Sequence, residues 1–600
     1  MPEAADIAWD LEPLVHGEGE AGALRLLAEA ADQADAFATA YAGKVAELDG
    51  AGLAAAVAAL EEMSDRIGRA GNYAMLRFST DTADPANGAL LQRVQEQGAQ
   101  IETKLLFFEL EWAELDDARA DELLAAEGTE KARHHLKAAR RYRPFLLTEP
   151  EEKILTEKGV TGASAWARLF GEQVSSLAVS LPGQAEPVAL DVALSRLMSP
   201  DPEVRRTTAE AVTETLKPGL RTRAFIYNTL MADKATDDRL RTYPSWIASR
   251  NLSNEASDES VQALLAAVRN RYDLAQRWYT LKGKLLGVDR IKDYDRMAAV
   301  TTADDEDIAW DEAKEIVLDA YGAFSGDLRA TAEEFFIGDY IDAPVRPGKR
   351  GGAFCAYTVP SSHPYVMLNY TSRRRDVLTL AHELGHGVHA SLARDRGVFE
   401  QHTPLTLAET ASVFGETLVF GRLLDRTPDP EARLSLLAES IEGSIATVFR
   451  QCAMNHYEHL AHTARREQGE LSVEDLCGLW TQSQEEMLGD SVEITEGYKT
   501  WWSYVPHFIN TPGYVYAYAY GQLLAMSIYQ RYVDGGEAFV PAYMDLLASG
   551  GSKSPEELGA IVGIDLADPG FWDAGLDLVE AQLEQAEAAA REARPEAVGA

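Results

Sequence analysis

Apolar residues recur every three or four positions along "AGALRLLAEAADQADAFATAYAGKVAEL", "GLAAAVAALEEMSDRIGRAGNYAMLRFS" and "GALLQRVQEQGAQIETKLLFFELEWAEL". That period, carried by Ala, Leu, Glu and Arg, predicts amphipathic helices joined by short Gly/Asp turns, and a helical layer over residues 20–170. "SSLAVSLPGQAEPVAL" alternates instead and has Pro and Gly at its centre, which predicts a short hairpin or loop. Ser199 or Asp201 can cap the next helix, so a soft boundary falls near residue 195. Helical patterning then runs to about residue 340. The stretch 341–372 is rich in Gly, Pro, Ser and β-formers, with strands expected at "GAFCAYTV" and "PYVMLNY". Helices follow to about residue 585. The pattern predicts a mainly α protein with an N-terminal helical domain over 1–195, a second domain over 196–585 and a flexible tail over 586–600.

The chain has 600 residues, 46% of them hydrophobic and 25% charged, which suits a globular protein of more than one domain. Asp plus Glu number 96 against 56 Lys plus Arg, a formal net charge of −40. Such a field repels nucleic acid and anionic lipid, so neither is expected as a partner, and the spread of the acids along the chain serves solubility. Cys355, Cys452 and Cys477 are far apart and cannot all pair. The opening "MPEAADIAWDLEPL" is acidic and no apolar run approaches a membrane span. A cytoplasmic location is expected.

One predicted helix, "DVLTLAHELGHGVHASL", carries three histidines, a glutamate and two glycines. His382 and His386 are four apart and therefore stack on one helix face, where both imidazoles can reach a single zinc ion. Glu383 is turned by roughly 100° and can act as a base on water beside the metal. A third ligand is needed, with a position left open for water. "TPLTLAETASVFGETLVFGRLL", read as a helix after Pro404 with Thr406 as a cap, places Glu409 and Glu416 seven apart on a mostly apolar face. Carboxylates there are costly unless paired or metal-bound. Glu409 is the expected third ligand, and Glu416 is expected to orient a ligand histidine through its other ring nitrogen. Gly385 and Gly387 would thin the helix where another backbone passes closely. His389 lies off the pair's face and is read as a residue that packs or that supports the ligands from behind, and not as a ligand. "NHYEHLAH" spaces three histidines on what reads as a surface helix without an acidic partner, and "GKRGGAF" lacks the phosphate-loop pattern.

"HELGHGVH" followed by "LAETAS" resembles the M3 peptidases, the thimet oligopeptidase and oligoendopeptidase F group, with "WDLEPL" most like the oligoendopeptidase F branch. The resemblance also takes in "GKRGGAFCAYTVPSSHPYVMLNY" and "WWSYVPHFINTPGYVYAYAYG". It implies a zincin-type helical fold in two halves around a deep channel, and zinc-dependent hydrolysis of short peptides. It further implies that His507 and Tyr514 donate to the oxyanion, with Tyr518 and Tyr520 both open as a further donor. Tyr365, on "PYVMLNY", is a candidate for substrate binding, because an exposed strand edge there could pair with an extended peptide. A metallocarboxypeptidase and a non-catalytic peptide-binding protein with structural zinc are the alternatives. The oligomeric state is not readable.

Overall fold

A computed structural model describes residues 4–301 and 307–598. The chain folds into two compact units, and both are discontinuous. One comprises Met1–Arg143, Asp305–Asp425 and Ile528–Asp565; the other comprises Pro144–Asp304, Arg426–Ser527 and Leu566–Ala600. Residue 195 lies inside the second unit, at the end of the helix Leu190–Ser195. Helices dominate both units, and the sheets are small.

The first unit opens with three long helices that pack on one another, α1 (Gly19–Tyr41), α2 (Gly50–Thr80) and α3 (Pro85–Glu114). Ala23, Leu26, Leu27, Ala30, Ala34 and Phe37 form the buried stripe of α1, at the spacing the sequence period predicts. Asp49 caps α2 by accepting from the Gly52 amide, and Asp84 caps α3 ahead of Pro85. Helices α4 (Trp310–Phe324) and α5 (Gly326–Ile337) lead into a three-stranded sheet of β1 (Ile341–Asp342), β2 (Phe354–Ala356) and β3 (Tyr365–Met367). The order is β1-β3-β2, with β3 parallel to β1 and antiparallel to β2.

The central place of β3 corrects the expectation of an exposed edge at "PYVMLNY". Both sides of β3 are paired, Tyr365, Val366 and Met367 are buried, and the Tyr365 hydroxyl donates to the Asp10 carbonyl at 2.9 Å. Tyr365 is therefore a core residue. The free edge belongs to β2. The loop before β2 is pinned by Lys349, whose buried ammonium donates to Asp342 Oδ1 at 2.5 Å and to the Pro344 and Leu368 carbonyls. Helix α6 (Arg374–Leu392) follows the sheet and packs on β2, β3 and α5.

In the second unit, Ala178–Val179 and Val188–Ala189 pair as the short antiparallel hairpin expected from the alternating stretch. Ile291–Lys292 and Val492–Glu493 form a second, parallel pair, and helices make up most of the remainder, around a core that includes Tyr227, Tyr457, Trp480, Trp502 and Phe508. The helix Pro569–Ala593 runs through the segment read as a tail from residue 586; Gly599 and Ala600 lie outside the described residues. Among the described residues, no helix is long and apolar enough to cross a membrane.

Candidate functional site

Helix α6 places His382 and His386 one turn apart, with ring centroids 5.0 Å from each other. The partner segment is not the single helix predicted. Leu405–Ala408 forms one helical turn capped by Pro404, the backbone turns through Glu409–Ala411, and α7 (Ser412–Asp425) begins. Thr406 is thus inside the short turn and not its cap. Glu409 and Glu416 nonetheless converge on the same ring. Glu409 Oε2 lies 3.3 Å from His382 Nε2 and 3.5 Å from His386 Nε2, while Glu416 Oε2 lies 3.1 Å from His382 Nδ1. One ligand atom from each of His382, His386 and Glu409 falls within 4.8 Å of the others, and these form the one such group found among the described residues.

The glycine of the motif explains how the two backbones come so close. A Cβ on Gly385 would lie 2.5 Å from the Ala411 carbonyl oxygen and 2.6 Å from Ser412 Cα, where no side chain fits. Gly387 faces a ring instead, since its Cβ would stand 2.4 Å from Phe335 of α5. The Tyr321 hydroxyl on α4 donates to the Ala381 carbonyl at 2.6 Å and fixes α6 from behind. From α7, the Ser412 hydroxyl donates to Glu409 Oε2 at 2.7 Å. Tyr543, on α8 (Val540–Ala548), stacks on Phe414 at 4.3 Å and donates to the Thr410 carbonyl, so this last segment braces the turn that carries Glu409.

Charge states follow from this packing. Burial disfavours charge on His382, but hydrogen bonds to Glu409 and Glu416 override it and raise its pKa to about 10. Burial lowers His386 to about 4. Burial also acts against the Glu409 carboxylate, yet the two imidazoles and Ser412 hold it down at about 2. Glu383 is 7% exposed, takes a hydrogen bond from the Cys355 amide of β2, and is pushed by burial up to about 7. A buried carboxyl with that value is suited to exchanging protons near neutrality.

Glu383 and His386 border a cleft of about 660 Å³ whose wall includes β2, Tyr357, His402 and, from α2, Asn72 and Met75. None of the described residues lining it is Lys or Arg. Tyr357 stacks on His402 at 4.9 Å. The sequence reading missed Tyr357, His402 and Ser412; the only available signal was that Ser412 follows Glu409 by three positions. His389 is buried behind the site with neither ring nitrogen hydrogen-bonded, as a packing residue would be.

In the second unit, the one-turn helix His507–Asn510 and the turn after it bring three expected residues together. His507 Nε2 lies 3.2 Å from the Tyr518 hydroxyl, and the Tyr514 ring stands 6.3 Å from His507 and 5.1 Å from Tyr518. Tyr518 is 38% exposed. Tyr520 is fully buried against Trp572, with its hydroxyl 3.3 Å from Ser260, which removes it as a donor to a ligand. The helix that carries "NHYEHLAH" exposes His459, as expected of a surface helix, but turns its other two histidines inward to different degrees. His462 is buried and stacks on Trp246, and an acid does meet His456, whose Nε2 lies 3.2 Å from Glu486.

Residues 326–578 match peptidase family M3, and residues 111–178 match oligopeptidase F. The chain is 25% identical over 553 residues to oligopeptidase PepF of Bacillus subtilis, spanning 91% of this chain and 82% of that protein. It is 25% identical over 533 residues to group B oligopeptidase PepB of Streptococcus agalactiae, spanning 88% of each. The fold is shared with a protein of Chlamydophila abortus (TM-score 0.86, 21% identity, 98% of this chain and 99% of that one). It is shared also with oligoendopeptidase-F from Enterococcus faecium (TM-score 0.71, 22% identity, 94% and 98%).

Proposed function

We propose that this chain, which belongs to peptidase family M3, is a zinc-dependent endopeptidase that hydrolyses short peptides with water as the nucleophile. The observation that carries this reading is the convergence of His382, His386 and Glu409 on one point, with Glu383 buried beside it. Two imidazole nitrogens and one carboxylate oxygen are the donor set of a catalytic zinc site that keeps a position for water. His382 Nε2, His386 Nε2 and Glu409 Oε2 would hold the ion. Bound there, zinc would acidify a water molecule and polarise the scissile carbonyl. Glu416 accepts from His382 Nδ1–H and so directs Nε2 at the metal position.

Glu383 takes the proton of the attacking water and passes it to the departing amine. To His507 and Tyr514 we assign hydrogen-bond donation to the oxyanion, on the match of their motif, with Tyr518 holding the His507 ring. The free edge of β2 lines the cleft beside Glu383 and His386, and an extended peptide can add to it through main-chain hydrogen bonds. Among the described residues lining that cleft there is no Lys or Arg to hold a substrate's terminal carboxylate, and on this we favour internal cleavage over carboxypeptidase action. We place the protein in the cytoplasm on its three free cysteines.

The test is metal content of the pure protein together with cleavage of an internally quenched peptide blocked at both ends. One zinc per chain, loss of cleavage with a chelator and recovery with zinc are expected. A metal-free preparation that cleaves at full rate overturns the metal assignment, and cleavage confined to free C-termini overturns the endopeptidase.

A further inference from the structure

We propose that Glu458 is a positioning residue, which fixes Tyr514 by holding the backbone amide of Gly513. The inference rests on the assignment of Tyr514 to the oxyanion and extends it to a residue 56 positions upstream that cannot itself meet solvent.

Glu458 lies on the helix Arg450–Gln468 and is fully buried. Its Oε1 accepts the Gly513 N–H at 2.8 Å. Among the described residues its Oε2 has no hydrogen-bond partner, and neither have the buried hydroxyls of Tyr227 and Tyr457. Taking a carboxyl out of water is costly, and packing alone would be met by an apolar side chain of the same length. Among the described residues, the one hydrogen bond made by its carboxyl is with the turn of "INTPGY".

That turn has little freedom elsewhere. The Thr511 amide donates to the His507 carbonyl at 3.0 Å and the Tyr514 amide to the Thr511 carbonyl at 3.1 Å. Gly513 has φ +73°, a left-handed conformation in which glycine is unstrained. A Cβ on Gly513 would stand 3.3 Å from both Trp246 and Ile247, so the backbone sits against these side chains. Arg250 approaches the Pro512 carbonyl at 3.4 Å with Nε, and its guanidinium stands 5.9 Å from the centre of the Tyr514 ring. Glu458 therefore holds through the backbone amide the same residue that Trp246 and Ile247 hold by packing. Without its acceptor, the Gly513 N–H is left buried and unmet, an arrangement the turn relieves by rotating. Tyr514 is the next residue and moves with it.

Burial pushes the Glu458 carboxyl up to about 8, against the hydrogen bond from the Gly513 amide and the charges of Arg250 and Lys234. Gln is a close mimic: it keeps the carbonyl oxygen that accepts from Gly513. Leu keeps the bulk and removes the acceptor.

The experiment uses the full zinc-loaded chain and an internally quenched peptide, with kcat, KM, zinc content and melting temperature measured on the same preparations. Glu458→Leu is expected to lower kcat about tenfold to a hundredfold, the scale of a displaced catalytic donor, with zinc content and KM near wild type. Glu458→Gln is expected to restore kcat. In a Tyr514→Phe background, Glu458→Leu should add less than about a twofold further loss, because the two act as one unit. Wild-type kcat in Glu458→Leu, or a full additive loss in the Tyr514→Phe background, overturns the inference. Glu458→Met makes the same comparison where Leu does not give folded protein. If Tyr514→Phe itself keeps wild-type kcat while Glu383→Gln is inactive, the assignment of Tyr514 fails and removes the object of the inference. If Tyr514→Phe is impaired and Glu458→Leu is not, the inference alone fails.

Discussion

Gly385→Ala adds one methyl group where α6 meets the Glu409–Ser412 turn, the two segments proposed to hold the metal. The methyl position is 2.5 Å from the Ala411 carbonyl oxygen and 2.6 Å from Ser412 Cα, whereas ordinary contact begins at 3.4 Å. Both obstacles are backbone, so no side chain can turn away, and α6 must part from the Glu409–Ser412 turn by about 1 Å. The alanine gains about 1 kcal/mol of helix propensity and loses about 1–3 kcal/mol to overpacking, a net effect on folding between about zero and a loss of about 2 kcal/mol. The ligand set is affected far more. Zinc tolerates distance errors of only about 0.2 Å, and Glu409 is two residues from the displaced carbonyl. Zinc affinity should fall at least about tenfold to a hundredfold, the range for disturbed ligand orientation, and kcat should fall with it. Zinc affinity by competition with a chromogenic chelator and melting temperature of the zinc-free protein separate the two effects. Gly387→Ala is the control: its methyl meets the Phe335 ring at 2.4 Å, so the cost falls on a side chain of α5 and affinity should stay near wild type. A Gly385→Ala protein that binds zinc as tightly as the wild type would refute the argument.

Glu383→Gln should retain zinc while kcat falls about a hundredfold to ten-thousandfold, read by metal analysis alongside peptide turnover. Glu409→Ala should lose most zinc on dialysis, and undiminished occupancy would remove it from the ligand set. Glu416→Ala should weaken zinc binding about tenfold to a hundredfold without abolishing it, as measured by the same chelator competition. Zinc affinity should rise with pH. Between pH 6 and 8 His382 is protonated in the metal-free protein, with a pKa of about 10, while His386, at about 4, is neutral and Glu409, at about 2, is ionised. One ligand proton is therefore displaced, and Kd should fall about tenfold per pH unit; a flat profile would contradict that charge assignment.

The paired histidines were legible because a spacing of four has one meaning on a helix. Glu409 was legible because a carboxylate among Leu407, Ala408 and Ala411 has few ways to be satisfied. The break at Glu409–Ala411 was not, since Thr410 and Ala411 continue the helical pattern and the cause is the distant Gly385. The edge was assigned to the wrong strand because β1 is only two residues long and leaves no period to read, yet it covers one side of β3. The tyrosines alternate in sequence, but they sit where a helix begins. Tyr514 and Tyr518, four apart, share one environment, while Tyr516 and Tyr520 share another: Tyr516 is held by Asn251 and Asn254, and Tyr520 lies against Trp572. The alternation therefore signalled a period of 3.6 and not of two.

The order in which the chain is made gives the brace from Tyr543 a further meaning. Both histidines and Glu409 leave the ribosome more than a hundred residues before the segment Ile528–Asp565 that completes their unit. A nascent chain halted after residue 425 would display the whole ligand motif without the ring that supports Phe414 and the hydroxyl that holds Thr410. The ligand motif and the segment that braces it thus meet only after more than a hundred further residues of chain have been added.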